Sequence, residues 1–323
     1  MSLNWNNILK DKVTVAIVGH IRPDGDCTSS CLGLYNYIKD NFPHVEVDVY
    51  LDYVLPIFEF FKRSNEVLTE TKKEISYDLF IGLDCADIDR YGVGSVYFET
   101  AKHSICIDHH ISNQGFAKEN YIDPTASATA ELLYTTLEED KVSKEIAECL
   151  YTGIVHDTGV FKYSNVTGKT MNIAGKLIDK GIDFSTIISK TFFEKNYHQK
   201  QILGRALLES IRFMNGKCIF SFIKASDMEF YGVTAADLDG IVEHLRDIEG
   251  VECAIFVYEL GVQTYKVSLR SKSIVDVSKI ASFYGGGGHI RAAGCTMMGS
   301  IHDTINNLSK KIEQQLIASG DLG

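Results

Sequence analysis

A chain of 323 residues suits two domains rather than one core, and its 45% apolar and 23% charged residues are those of an ordinary globular protein. The formal net charge of -11 argues against a protein that coats long nucleic acid through a broad basic surface. It leaves room for a small phosphorylated substrate whose charge is met locally by divalent cations.

The eight cysteines are scattered, show no Cys-x-x-Cys pair and read as reduced core residues, so a structural zinc site is not expected. Residues 1–7 lack the charged and apolar regions of a secretory leader, and no apolar run approaches the ~18 residues of a membrane span. A cytoplasmic protein with no membrane partner is the default expectation.

In chain order, the short β-branched run Thr14 to Val18 reads as a buried strand. It leads into His20-Ile21-Arg22-Pro23-Asp24-Gly25-Asp26, which holds three metal-ligand side chains within seven residues. Pro23 fixes its own φ and biases Arg22 away from helix, and Gly25 is expected to take the positive φ that folds Asp24 and Asp26 toward one point. Two carboxylates and an imidazole so placed repel and lose hydration unless a cation joins them, which a hard divalent metal does. The plainer alternative is a capped turn in which Asp26 caps a helix starting near Cys27.

Thr28 to Lys39 shows helical spacing of Leu32, Leu34, Tyr35 and Ile38, and Val45 to Leu51 alternates like a strand, completing a βαβ unit. Asp78 to Asp84 and His103 to His110 read as further buried strands, both ending in ligand-type residues. Strands that end in Asp or His at one sheet edge would converge on a crevice beyond their carboxyl ends. Ser127 to Glu138, capped by Ser127 with Glu131 near its first turn, and Ser143 to Val155 read as helices. The second delivers Asp157 from its end, in His156-Asp157-Thr158-Gly159.

The predicted fold class is α/β, with a mostly parallel sheet and helices on both faces over residues 1–190. A linker helix over 191–210 and a smaller α/β domain over 211–323, across a cleft, complete the chain. The second domain carries strand-like runs at Cys218 to Ile223, Cys253 to Val257 and Tyr265 to Leu269. Its helices are expected near Leu238 to Asp247 and Val275 to Phe283. Gly285 to Gly288, followed by His289 and Arg291, reads as a loop whose bare N–H groups approach a phosphate or base, with a flexible turn as the alternative.

Together these motifs resemble the DHH phosphoesterases, named for a motif matched by Asp108-His109-His110. The resemblance is to the branch of nano-RNases and pAp phosphatases, bifunctional oligoribonucleases with a DHH-associated C-terminal domain. His20 through Asp26, Asp84, Asp108-His109-His110 and Asp157 occur in the order of that family, and the glycine loop ending in His289 marks its C-terminal domain.

The resemblance implies one metal held by Asp26, Asp84, His109 and Asp157 and another held by His20, Asp24 and a second oxygen of Asp84. Removing Asp84 would then cost most, because both metals lose a bond. Two divalent ions are implied, manganese by family habit, and carboxylates with imidazoles suit that ion. Asp108 would orient a ligand histidine or the strand end, and His110 would face the scissile phosphate. Arg270, Ser271, Gly286, Gly287, Gly288, His289 and Arg291 would hold a terminal phosphate or the nucleotide beside the cut, which limits productive substrates to short ones.

The implied activity is hydrolysis of short oligoribonucleotides to mononucleotides and dephosphorylation of adenosine bisphosphate, by two metals and a water nucleophile. Partners are short oligoribonucleotides and nucleotide bisphosphates, and a homodimer is one assembly this allows. A cyclic-di-AMP or pApA phosphodiesterase is the alternative. A RecJ-like exonuclease is disfavoured by the short acidic chain, a manganese pyrophosphatase by the glycine-rich second domain, and an inactive nucleotide sensor by the complete ligand set. The chain departs from the family at Cys27, Thr28 and Ser29, where relatives often carry small or apolar residues and a glycine. That bears on helix-to-strand packing, and Cys27 reads as a core thiol.

Overall fold

The apolar runs become the central strands of the computed structural model, which describes residues 3–72 and 75–322. In the first 194 residues these are β1 (Thr14–Val18), β2 (Glu46–Tyr50), β3 (Leu79–Leu83), β4 (His103–Asp108) and β5 (Glu119–Ile122). The helices there are α1 (Trp5–Leu9), α2 (Gly25–Asn41), α3 (Thr129–Tyr134), α4 (Lys144–Asp157), α5 (Gly168–Ile178) and α6 (Phe184–Ile188). Among the described residues the strands form one parallel sheet in the order β2-β1-β3-β4-β5.

Burial on both faces explains why β1 and β3 are apolar without alternation. Val15, Ile17, Leu79 and Ile81 face a core shared with Leu32, Leu34 and Ile38 of α2 and Leu150 and Ile154 of α4. Ala16, Val18 and Phe80 face a second, aromatic core built with Tyr50, Tyr77, Tyr91 and Tyr97. That face is covered by short 3-10 turns at Ile88–Arg90 and Val93–Tyr97.

The helix expected from Ser127 is shorter than its pattern. Thr135 and Thr136 hydroxyls donate back to the carbonyls of Leu132 and Leu133, competing with continuation of the helix. Ala128 is the cap of α3, and Ser127 instead donates its backbone N–H and its hydroxyl to Glu131 Oε2.

Residues 195–323 form a second unit. It runs α7 (Tyr197–Leu208), β6 (Ile211–Phe213), β7 (Cys218–Ile223), α8 (Ala225–Tyr231), α9 (Ile241–Arg246), β8 (Cys253–Gly261), β9 (Thr264–Ser271), α10 (Val277–Phe283), β10 (Gly287–His289), β11 (Ala292–Met298) and α11 (Ile301–Ala318). The helix expected within 191–210 is α7, which starts at Tyr197 because Asn196 and Gln199 cap each other's backbone N–H. The sheet order is β10-β11-β9-β8-β7-β6, parallel at β7–β8 and antiparallel elsewhere. All eight cysteines are buried and unpaired, and among the described residues no helix is long and apolar enough to cross a membrane.

Glu131 is the buried polar anchor beneath the first sheet's carboxyl edge. Only 1% exposed, it accepts from Ser127 N, Ser127 Oγ and Thr170 Oγ1 at 3.2, 2.6 and 2.7 Å, joining the turn before α3 to the start of α5. Glu131→Ala strands those donors and is expected to lower the unfolding free energy by about 2–4 kcal/mol. Urea unfolding followed by circular dichroism measures it, and an unchanged midpoint would contradict the anchoring role.

Candidate metal centre

The order of the first sheet reverses between β1 and β3, and in doubly wound sheets ligands sit beyond the carboxyl ends of the strands at such a point. His20 lies just past β1, Asp84 directly past β3, and Asp108 ends β4 with His109 and His110 following. Asp24 and Asp26 come from the cap and first turn of α2, and Asp157 is the last residue of α4. The structure brings these side chains to one place.

The distances define two halves around Asp84. His20 Nε2 lies 3.7 Å from Asp24 Oδ2 and 3.6 Å from Asp84 Oδ2. On the other side His109 Nε2 lies 3.7 Å from Asp84 Oδ1 and 3.0 Å from Asp157 Oδ2. Ligand atoms of Asp26, His109 and Asp157 all fall within 4.8 Å of one another. One carboxylate thus presents a different oxygen to each of two imidazoles.

Asp84 is held there at a conformational cost. Its φ of 55° is in the left-handed region, which non-glycine residues adopt sparingly and often at functional sites. Its N–H donates to Ile107 O at 3.1 Å, and Thr129 Oγ1 donates to its Oδ1 at 2.8 Å. Asp26, fully buried, accepts from Thr129 N at 2.6 Å and Ala130 N at 3.0 Å, so a carboxylate caps the start of α3.

The turn after β1 departs from expectation. The positive φ falls on Arg22, at 54°, whereas Gly25 opens α2. Asp24, not Asp26, caps that helix, its Oδ1 accepting from Cys27 N at 3.1 Å. Glycine is required at position 25 for a different reason: a Cβ there would lie 2.3 Å from Cγ of His156.

The histidine tautomers are set by their neighbours. Nδ1 of His20 faces Ile21 O at 2.8 Å and Nδ1 of His109 faces Ala126 O at 3.3 Å, so each Nδ1–H donates to a carbonyl and each Nε2 is the nitrogen turned toward the carboxylates, where a metal could take it. His110 differs. Its Nδ1 donates to Asp108 Oδ1 at 2.7 Å, and Asn113 Nδ2 donates to Asp108 Oδ2 at 2.8 Å, fixing the carboxylate in turn.

Burial disfavours charge on His20, yet Asp24 and Asp84 outweigh it and raise its pKa. Burial likewise opposes charge on His109, but Asp157, Asp26 and Asp84 push it up to about 10. Burial and the carboxylates of Asp84 and Asp157 drive Asp26 well above the usual carboxylate range, and burial also raises Asp157. Asp108 behaves oppositely: burial works against its charge, but the His110 hydrogen bond wins and lowers it. Carboxylates and imidazoles crowded this way are a donor set that fits a hard to borderline divalent cation, which would relieve the carboxylate repulsion. Cys27 is fully buried and accepts from His20 N at 3.2 Å, and burial keeps its thiol protonated. Its Sγ nevertheless lies within 4.8 Å of ligand atoms of His20 and Asp84.

Sequence reasoning passed over Thr129, Asn113 and His156. Thr129 acts through a backbone N–H as well as its hydroxyl, which leaves no sequence signal, whereas Asn113 follows the Asp108 motif closely and His156 precedes a ligand.

The residues expected to hold substrate lie in the second unit and are engaged within it. Arg270 on β9 donates from Nε to Glu243 Oε1 at 2.7 Å and from Nη1 to Leu269 O at 3.0 Å. Ser271 is buried and donates its hydroxyl to Val275 O at 2.6 Å. Arg291 donates to the carbonyls of Val275 and Ser273. The expected glycine loop is in part a strand, β10, and its glycines answer to close packing. A Cβ at Gly286 would lie 2.2 Å from Gly294 O, and at Gly288, where φ is 141°, 2.5 Å from Ala292 O. Gly287 and His289 are exposed.

Residues 14–154 match the DHH family N-terminal domain and residues 215–318 match the DHHA1 domain. The chain belongs to the DHH family, whose class is that of hydrolases acting on phosphate esters. Among its relatives, the bifunctional oligoribonuclease and PAP phosphatase NrnA of Bacillus subtilis is 27% identical over 289 residues, 88% of this chain and 89% of that protein. The protein of the same name from Thermus thermophilus is 28% identical over 314 residues, 95% of this chain and 92% of its own length. The crystal structure of an exopolyphosphatase-related protein from Bacteroides fragilis shares the fold, with a TM-score of 0.88 at 24% identity, covering 96% of this chain and 94% of that one.

The carboxylates around His20 and His109 raise both pKa values and so favour a proton on each imidazole, which a metal taking Nε2 would have to displace. Mn²⁺ uptake at pH 7 is expected to release protons, and affinity should rise from pH 6 to 9. Calorimetry in two buffers of different ionisation enthalpy reads the release, and uptake that is proton-neutral would contradict the pairing.

Proposed function

We propose that the protein hydrolyses short oligoribonucleotides and dephosphorylates adenosine bisphosphate at a pair of divalent metals. The observation that carries this reading is the Asp84 carboxylate, with Oδ2 toward His20 Nε2 at 3.6 Å and Oδ1 toward His109 Nε2 at 3.7 Å. His20, Asp24 and Asp84 would hold one ion, and Asp26, Asp84, His109 and Asp157 the other. Manganese suits this oxygen-rich set better than a thiolate-seeking metal. When bound, such ions lower the pKa of water and neutralise charge on phosphoryl oxygens.

The groups left over would act on the substrate. The hydrogen bond to Asp108, more than any other influence, raises the pKa of His110 and favours its cationic form, with Nε2–H as a donor. Such a donor would stabilise a phosphoryl oxygen or protonate the leaving oxygen. Asp108, locked by Asn113, would orient His110 rather than bind metal. The substrate class is supported by relatives named oligoribonuclease and PAP phosphatase across nearly this whole length.

We further assign residues 1–190 to catalysis, 191–210 to a linker and 211–323 to substrate binding. In the second unit the exposed Gly287 and His289 would meet the substrate first. Arg270 would reach a phosphate only by exchanging or sharing its partner Glu243.

A product panel with Mn²⁺ tests the function: ribonucleotides of two to five units, long single strands, adenosine bisphosphate, pApA and cyclic di-AMP. Mononucleotides from the short RNAs and phosphate from the bisphosphate are expected. Preference for cyclic di-AMP would contradict the substrate assignment, and metal binding without turnover of any substrate would point to a sensor. His110→Asn is expected to lower kcat about 10²- to 10³-fold while Mn²⁺ affinity stays within a few-fold. An unchanged kcat removes His110 from the chemistry.

A further inference from the structure

Glycines bring the ligand-bearing ends of α2 and α4 unusually close. A Cβ at Gly25 would lie 2.3 Å from Cγ and 2.5 Å from Nδ1 of His156, so the imidazole rests on the bare backbone of the first turn of α2. Further along the same crossing, a Cβ at Gly153 would lie 2.7 Å from Asp26 Oδ1 and 3.2 Å from Ser29 Cβ, and one at Gly33 would lie 3.0 Å from Leu150 Cδ2. Each helix therefore supplies glycine where the other supplies a side chain.

The His156 ring is itself fixed. Phe58 meets it edge-on at a centroid distance of 5.2 Å and Phe192 at 5.7 Å, and Phe58 is stacked on Phe61 at 5.7 Å. A ring clamped between two aromatic edges and a helix backbone has little freedom to shift. Gly25 stands between Asp24 and Asp26 in the chain, and His156 immediately precedes Asp157. One contact thus couples carboxylates contributed by different helices to the two halves of the metal centre.

We propose that His156 is a positioning residue, whose ring acts as a spacer that sets the distance of Asp24 and Asp26 from Asp157. The inference rests on the two-metal reading above. Its physical basis is that metal–ligand bonds tolerate only about 0.2 Å of error, while shortening a side chain at a tight helix crossing lets the helices move by more. The spacing is set by the shape of the ring, beside the smaller electrostatic influence that His156 has on Asp24. Phenylalanine should replace it, and alanine should not.

The test is Mn²⁺ binding, by calorimetry and by the electron paramagnetic resonance signal of a coupled Mn²⁺ pair, on full-length variants whose folding is checked by circular dichroism. His156→Ala is expected to weaken Mn²⁺ binding about 10- to 100-fold, to diminish the coupled signal, and to lower kcat with KM nearly unchanged. His156→Phe, keeping a flat ring against Gly25, should bind Mn²⁺ within about 3-fold of wild type. Gly25→Ala should also weaken binding, and adding His156→Ala to it should cost less than the two separate effects combined, because the clash is gone.

Wild-type affinity in His156→Ala, a His156→Phe protein as impaired as His156→Ala, or a strictly additive double mutant would each overturn the proposal. A wild-type protein that binds a coupled Mn²⁺ pair yet turns over no phosphate ester defeats the proposed activity alone, and His156 is still judged on metal binding. A wild-type protein that takes up no Mn²⁺ defeats the metal reading and the spacer with it.

Discussion

The structure depends on how it tolerates a buried knot of like charge. Asp26 and Asp84 are almost wholly inaccessible, and Asp157 stands beside them. Their mutual repulsion would be costly without compensation. Compensation comes partly from imidazoles on either side of Asp84 and partly from donors the fold aims at the carboxylates. Thr129 alone gives a backbone N–H to Asp26 and a hydroxyl to Asp84. What these groups leave unbalanced is a set of oxygen and nitrogen lone pairs suited to divalent cations.

The fold supplies this arrangement cheaply because strand order, rather than loop design, does most of the positioning. β1 and β3 flank the reversal of the sheet, so His20 and Asp84 emerge side by side. β4 adds the Asp108-His109-His110 run one strand further on, while the ends of α2 and α4 approach from outside the sheet. Two kinds of histidine result. His20 and His109 donate to main-chain carbonyls, which under the proposed function would leave Nε2 for a metal, whereas His110 donates to a carboxylate and would offer Nε2 to a substrate. The same residue type would then be divided between holding and reacting by its hydrogen-bond partner.

Much of this was legible in the sequence. Continuous apolar runs ending in Asp or His marked β1, β3 and β4, because strands buried on both faces need no polar alternation. Contacts distant in the chain were not legible. Gly25 suggested conformational freedom, but its reason is the His156 ring against it. The glycines at 286 and 288 suggested an open loop for the same reason, and they prove to admit the β11 backbone. Arg270 and Arg291 looked like free cations because nothing nearby in sequence announces Glu243 or the carbonyls of Ser273 and Val275. Residue type reports chemistry well, and reports partners only when they are local.

Anomalous diffraction from Mn²⁺-loaded crystals would show whether Asp84 is shared between two metals. Two peaks are expected to flank the Asp84 carboxylate, one beside His20 and Asp24 and the other among Asp26, His109 and Asp157. Peaks that leave Asp84 uncoordinated, or a single ion bound without it, would rule out a carboxylate shared between two metals.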